Sequence, residues 1–411
     1  MSKKWLVIGL LLYLLASSAL AQNEDRPSVW LLSFYPFGPA NAIQTGMLDV
    51  LESYGLIHPE DRSDQRMQVM IESSDNSPIE FNRLDANFEL DRLRELVAHA
   101  LDHEPDALVT ISAPMTLAAL QATADMDDPP AIFFADVYNP YTAGIAEAPC
   151  IKPAHVSGAQ SVIDYEAIAG LPLLQNPDIT IIGTIHNAGD ASGAYGAGKI
   201  AEFGEALGLT VEQAAVTTLA DLALATGGLV SKGVEAILLP MDYMNLAGLP
   251  LVSGVANDQG VPVYFSSLDG LVLGATVGAG NSQLMPLGDA VGLMLASYLA
   301  GELDPATTGI STLADDMFVG INMHNADQMD FSFSQALQER ADMSLTMDEA
   351  SGLPSIMPIS PAAQAGIGQA FYGGAAPLEA RQERDQAFLA ELECTPERIA
   401  EQQAALAAME G

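Results

Sequence analysis

From residue 27 onward, short apolar runs alternate with longer segments whose apolar residues recur at helical spacing. SVWLLSF (28–34), MQVMIES (67–73), ALVTI (107–111) and AIFFA (131–135) read as strands. Residues 39–54, 87–103 and 115–124 read as helices between them; the second carries Leu90, Leu93, Val97, Ala98 and Leu101 at helical spacing. The order then restarts. DITIIGTI (178–185), LTVEQAAV (209–216), EAILLP (235–240), VPVYF (261–265) and GATVG (274–278) read as strands, with helices at 191–206, 219–232, 244–258 and 286–300. This alternation predicts parallel sheets with helices on both faces, and the restart near residue 155 predicts two such sheets. If the chain crosses back, the first lobe claims the strands at 261–265 and 274–278, and a hinge and a cleft separate two lobes.

In open α/β sheets a ligand lies beyond the carboxyl ends of the strands. Those ends are polar here. FADVYNPY (134–141) closes the fourth strand with Asp136, Tyr138 and Tyr141. It reads equally as a cleft wall and as an ordinary turn built on Asn139-Pro140. SAPMT (112–116) follows the third strand, where Ser112, Thr116 and the free amides of a helix start suit a carboxylate. HNAGDAS (186–192) opens a helix in the same way. Tyr35, Asp242-Tyr243, Ser266-Ser267 and Asp269 follow other strands, and none of these ends carries Arg or Lys. Carboxylates accept from an ammonium and tyrosines stack on a ring. The composition points to a small zwitterion or amine with an apolar or aromatic body.

Met1 to Ala21 has the layout of a cleavable export signal: Lys3-Lys4, an apolar run over 5–15, then small residues ending Ala19-Leu20-Ala21. A membrane anchor is the alternative reading. No cysteine follows the small residues, so no lipid anchor is expected. The chain holds 53 acids and 15 bases, a net charge of −38. Such a surface repels nucleic acid and anionic lipid, which removes both as expected partners, and it suits high salt. Cys150 and Cys394 are either a disulfide or two unrelated buried thiols. Residues 346–377 are rich in Gly, Pro, Ala and Ser and read as a linker or irregular wrap. A polar helix follows at 378–392, and Thr395-Pro396-Glu397 opens a last helix running to about Met409.

No catalytic constellation emerges. GDASG (189–193) has Ala191 where a nucleophile elbow needs serine. GAYGAG (193–198) and GATVGAGN (274–281) lack the G-x-G-x-x-G order. His99 and His103 can share a helix face but supply too few ligands for a metal. The expectation is no enzyme, no cofactor and no metal.

Taken in order, LVTISAPMTLAAL, PPAIFFADVYNPYTAGI, VSGAQS, ITIIGTIHNAGDASGA, VEAILLPMDYM, VPVYFSS and GATVG resemble the substrate-binding proteins of ABC importers, in particular the branch with tryptophan- and tyrosine-binding members. The resemblance runs over residues 28 to 343. It implies a type I periplasmic-binding fold of class α/β: two Rossmann-like lobes joined by a hinge of three crossovers, closing on one ligand in a central cleft. It places the N-terminal lobe at 28–145 plus 264–310 and the C-terminal lobe at 150–263 plus 311–343. Residues 345–411 form a C-terminal helical extension without counterpart. The resemblance implies no catalysis. Carried over by position, the ligand shell takes Ser112, Ala113, Thr116, Asp136, Tyr138, Asn187, Ser192, Asp242 and Ser266; the strand-end tyrosines Tyr35 and Tyr243 join it. The first loop (33–46) lacks the family's His-Pro, and the segment 73–83 is not the family's short connection. The expectation is a monomeric periplasmic protein that captures an aromatic or other apolar amino acid, or a related amine, for a membrane permease. Two alternatives stand beside it. One is a sensor presenting its ligand to a membrane receptor kinase. The other is an exported hydrolase, which needs a nucleophile–base pair that no segment supplies.

Overall fold

The computed structural model describes residues 26–35, 39–62, 76–280, 284–313, 317–348, 351–364 and 375–410. The expected export signal and the expected strand at 67–73 lie outside the described residues.

Two sheets organise the chain. The first has the order β11-β5-β4-β3-β1-β2, with β1 Ser28–Ser33, β2 Glu80–Asp85, β3 Ala107–Ile111, β4 Ala131–Val137, β5 Val156–Ser161 and β11 Ser311–Leu313. All its pairings are parallel. Every residue of β3 and β4 is buried, because helices cover both faces of a parallel sheet. That is why AIFFADV reads as a continuous apolar run.

The second sheet has the order β14-β13-β12-β10-β9-β8-β6-β7. Its strands are β6 Ile181–Asn187, β7 Thr210–Val216, β8 Ala236–Leu239, β9 Val263–Phe265, β10 Val277–Gly280, β12 Phe318–Asn322, β13 Met343–Met347 and β14 Pro354–Pro358. The parallel β6–β9 core turns antiparallel at β10/β12 and at β13/β14.

Sheet membership differs from the expected lobe boundaries. β9 and β10 stay in the second sheet, in parallel pairing with β8 and with each other. VSGAQS and Ser311–Leu313 complete the first sheet instead. What crosses back is the helix Leu284–Leu299, which packs on the helix Pro39–Ser53 of the first lobe. Their backbones nearly touch. A Cβ added at Gly46 would lie 2.1 Å from the Met285 carbonyl oxygen, and one at Gly288 would lie 1.9 Å from that of Ile43. Glycine is required there by space, not by backbone angle.

The strand described beside β1 is EFNRLD, whose charge hid it in the sequence. Arg83 is buried there, 3.0 Å from Asp85 and 2.8 Å from the Asn41 side-chain oxygen. The region expected as an irregular wrap contains β14, an edge strand bounded by Pro354 and Pro358, residues compatible with a sheet edge.

The extension docks as two helices, Leu378–Glu391 and Pro396–Glu410. Cys150 and Cys394 are joined in a disulfide, with Cα atoms 5.6 Å apart. Arg381 lies buried between Asp385 and Asp289, at 2.6 and 2.9 Å, and the Tyr54 hydroxyl donates to Asp385. No helix among the described residues is long and apolar enough to cross a membrane.

Candidate functional site

Carboxyl ends of strands from both sheets converge on one cavity. The first lobe contributes Phe34, Tyr35, Ser112, Ala113, Pro114, Asp136 and Tyr138; the second contributes Asp190, Ser192, Met241, Asp242, Tyr243 and Leu246. The lobes already touch here. The Phe34 ring meets Tyr243 edge to face, with centroids 5.5 Å apart; within the first lobe, Tyr35 leans on Phe88 at 5.8 Å.

Two wall residues of the first lobe hold unusual backbones. The β4/β5 register shifts between Phe134 and Val137, so Ala135 and Asp136 stand opposite a single residue of β5. This bulge re-aims the Asp136 side chain, with φ at 55°, a conformation Asp tolerates better than most residues. Ser112 has φ 93° and ψ 154°, a region that costs a non-glycine residue about 1–3 kcal/mol. Such strain clusters at functional sites.

Burial pushes the Asp136 carboxyl up to about 7, the nearby Asp269 charge adds to the rise, and the Tyr138 hydroxyl opposes it. Burial alone raises Asp269, opposed by Ser267. One Asp136 oxygen is buried without a hydrogen-bond partner, as are the Tyr35 and Ser192 hydroxyls. All three residues line the cavity.

Asp242 is differently placed. One of its oxygens accepts from the Asn245 amide at 2.7 Å; the other accepts from the Asn187 amide and the Asn245 side chain, both at 3.0 Å. Burial also pushes it up to about 7. It caps the helix Tyr243–Asn257 and braces the loop after β6, so its capacity for a ligand ammonium is largely used.

Of the sequence candidates, Tyr35, Ser112, Ala113, Asp136, Tyr138, Ser192, Asp242 and Tyr243 lie on the cavity wall. Thr116, Asn187 and Ser266 lie behind it. Thr116 is buried against Thr110 and the Ser112 carbonyl, at 2.9 and 2.8 Å. Asn187 accepts from the Gly189 amide at 2.9 Å, and Ser266 donates to the Leu239 carbonyl at 2.6 Å. Tyr141 turns away to accept from Gln160. Asp190 and Phe34 are wall residues that the sequence reading did not single out. Asp190 carries a signal of its own, an N-cap residue directly before a helical segment. His99 and His103 pack on Trp30, with centroids 5.5 and 5.0 Å from its ring.

A family profile described as ABC transporter substrate binding protein matches residues 68–344. The chain belongs to this family. A curated relative, a tyrosine-binding protein of Clostridioides difficile (strain R20291), is 23% identical over 228 residues. That match covers 56% of this chain and 64% of the relative, less than two thirds of its length. Among solved structures, a Streptococcus pneumoniae ABC domain in complex with L-Trp is similar at a TM-score of 0.66 and 19% identity, covering 78% of this chain and all of that one (100%). A conserved domain protein from Vibrio cholerae has the same scores and coverage. A ligand-free, open substrate binding protein with adhesive properties from Clostridium difficile follows at 0.54 and 20%, covering 77% and 98%. These likenesses carry the fold: this family member has two Rossmann-like lobes of the type I periplasmic-binding kind around a central cleft.

Proposed function

We propose that this chain captures a small aromatic ligand bearing an amine, an aromatic amino acid or a related amine, and delivers it to the permease of an ABC importer. The observation that carries the reading is the unpartnered Asp136 oxygen set among Tyr35, Tyr138 and Tyr243, with no basic side chain on the wall among the described residues. A buried carboxylate oxygen left without a donor is costly, and a ligand ammonium would supply one. The rings around it would hold an apolar body. The tyrosine-binding relative and the L-Trp complex support the same ligand class. The moving bodies would be the lobe around the first sheet, with the helix Leu284–Leu299, and the lobe around the second. An export signal at 1–21 would place the protein in the periplasm.

Native mass spectrometry of protein purified without refolding tests the ligand directly. A thermal-shift screen of amino acids, amines, dicarboxylates, sugars and sugar phosphates, followed by calorimetry, ranks the classes. Aromatic amino acids or amines should raise the melting temperature, since a ligand that binds only the folded state stabilises it. Tight binding of a sugar phosphate with amino acids and amines silent would overturn the reading.

A further inference from the structure

Three helices start at the cavity wall, and each start is closed by a residue of the chain itself. Asp190 accepts from the amides of Ser192 and Gly193, at 2.9 and 3.2 Å. Asp242 accepts from the Asn245 amide, and Ser112 from the Met115 amide at 3.4 Å. Pro114, in the first turn of the Ser112 helix, has no N–H to offer. Helix-start amides are the natural seat for a ligand carboxylate when no arginine or lysine is present. Here the protein's own caps occupy several of them, and two of those caps are themselves carboxylates.

The acidic and basic side chains on the wall are one-sided. Asp136, Asp190 and Asp242 line the cavity, while among the described residues no Arg, Lys or His does so. Asp269, from the second lobe, adds a further negative charge acting on Asp136. A ligand carboxylate in this cavity would meet acids on both lobes. An ammonium would meet carboxylate and hydroxyl oxygens able to accept from it. The unpartnered Asp136 oxygen, in a residue 3% exposed, marks the seat.

From this we infer that the preferred ligand is an arylalkyl amine, a ring with an ammonium and no carboxylate, rather than the corresponding amino acid. The inference rests on the aromatic-amine reading above and narrows it.

Calorimetry on the full chain with matched pairs tests it: L-tyrosine against tyramine, and L-tryptophan against tryptamine. Tyrosinamide, which keeps the bulk of the carboxylate without its charge, separates charge from size. The amines and tyrosinamide should each bind at least tenfold more tightly than the amino acid. Asp136→Asn should weaken tyramine at least tenfold. If the amino acids bind as tightly as the amines or more so, this inference falls while the proposed function stands. If tyrosinamide binds no better than tyrosine, charge is not what selects and the inference also falls. Unchanged tyramine affinity in Asp136→Asn would remove the proposed ammonium seat. If neither amino acids nor amines bind, the proposed function fails and takes the inference with it. The ligand pairs are measured on the unaltered chain, so they decide the matter even if the variant does not fold.

Discussion

Asp136 concentrates what a single residue can do in this cleft. The sequence marks it as an acid at the end of a buried strand but does not separate a cleft wall from a turn. The β-bulge that aims its side chain inward arises from pairing with β5, the next strand along the chain, and not from the local sequence. Its raised pKa has a stability consequence. A carboxyl that holds its proton more tightly when folded makes the folded state relatively less stable as pH rises from its unfolded value to its folded one. For Asp136 that window runs from 3.8 to about 7, and the effect is on the order of a few kcal/mol. The groups acting on it are Tyr138 and Asp269. Asp136→Asn should therefore raise the melting temperature of the ligand-free protein more at pH 8 than at pH 4.5. A scan showing the same increment at both values would mean that Asp136 is not held near neutrality. Asp242 and Thr116 show the limit of residue-by-residue reading. Both sit at strand ends as a ligand shell requires, yet their hydrogen bonds are spent on helix caps and a buried hydroxyl pair.

Elements were legible where their pattern was strong. The strand Ala107–Ile111 and the helix Ala191–Ala206 fall where the pattern predicts them. Missed elements share a cause. EFNRLD and VSGAQS are polar by composition and become strands through parallel pairing with β1 and β4; the helix Tyr165–Gln175 contains Pro172. Glycines divide in the same way. In the helix Leu219–Ser231, Gly227 has nothing within 4 Å of an added Cβ, whereas Gly288 in Leu284–Leu299 sits against the backbone of the facing helix. Gly227→Ala should stabilise by up to about 1 kcal/mol through helix propensity. Gly288→Ala should destabilise by about 1–3 kcal/mol by forcing the helices apart. Urea unfolding of the two variants measures both. Equal stability changes would mean that the close helix contact bears no weight.

At the scale of the whole molecule, the extension is fastened to the first lobe. The disulfide closes a loop with a sequence separation of 244, and the Gln402 side chain accepts from the Cys150 amide at 2.8 Å. The chain-entropy model gives such a crosslink about 5 kcal/mol as an upper bound. A variant combining Cys150→Ser and Cys394→Ser should lose part of that in urea unfolding; one as stable as the unaltered protein would show that the bond adds no constraint. The sequence by itself determined the α/β class, the two-fold restart, the acidic surface and the polar, base-free strand ends, because periodicity and composition are local properties of the chain. Only the tertiary structure decided which strands joined which sheet, which helix crossed back, and which polar side chains at those ends remained unpartnered. Those outcomes depend on pairing and packing between residues far apart in sequence, and a hydroxyl or carboxylate is free for a ligand only when no distant amide has already claimed it.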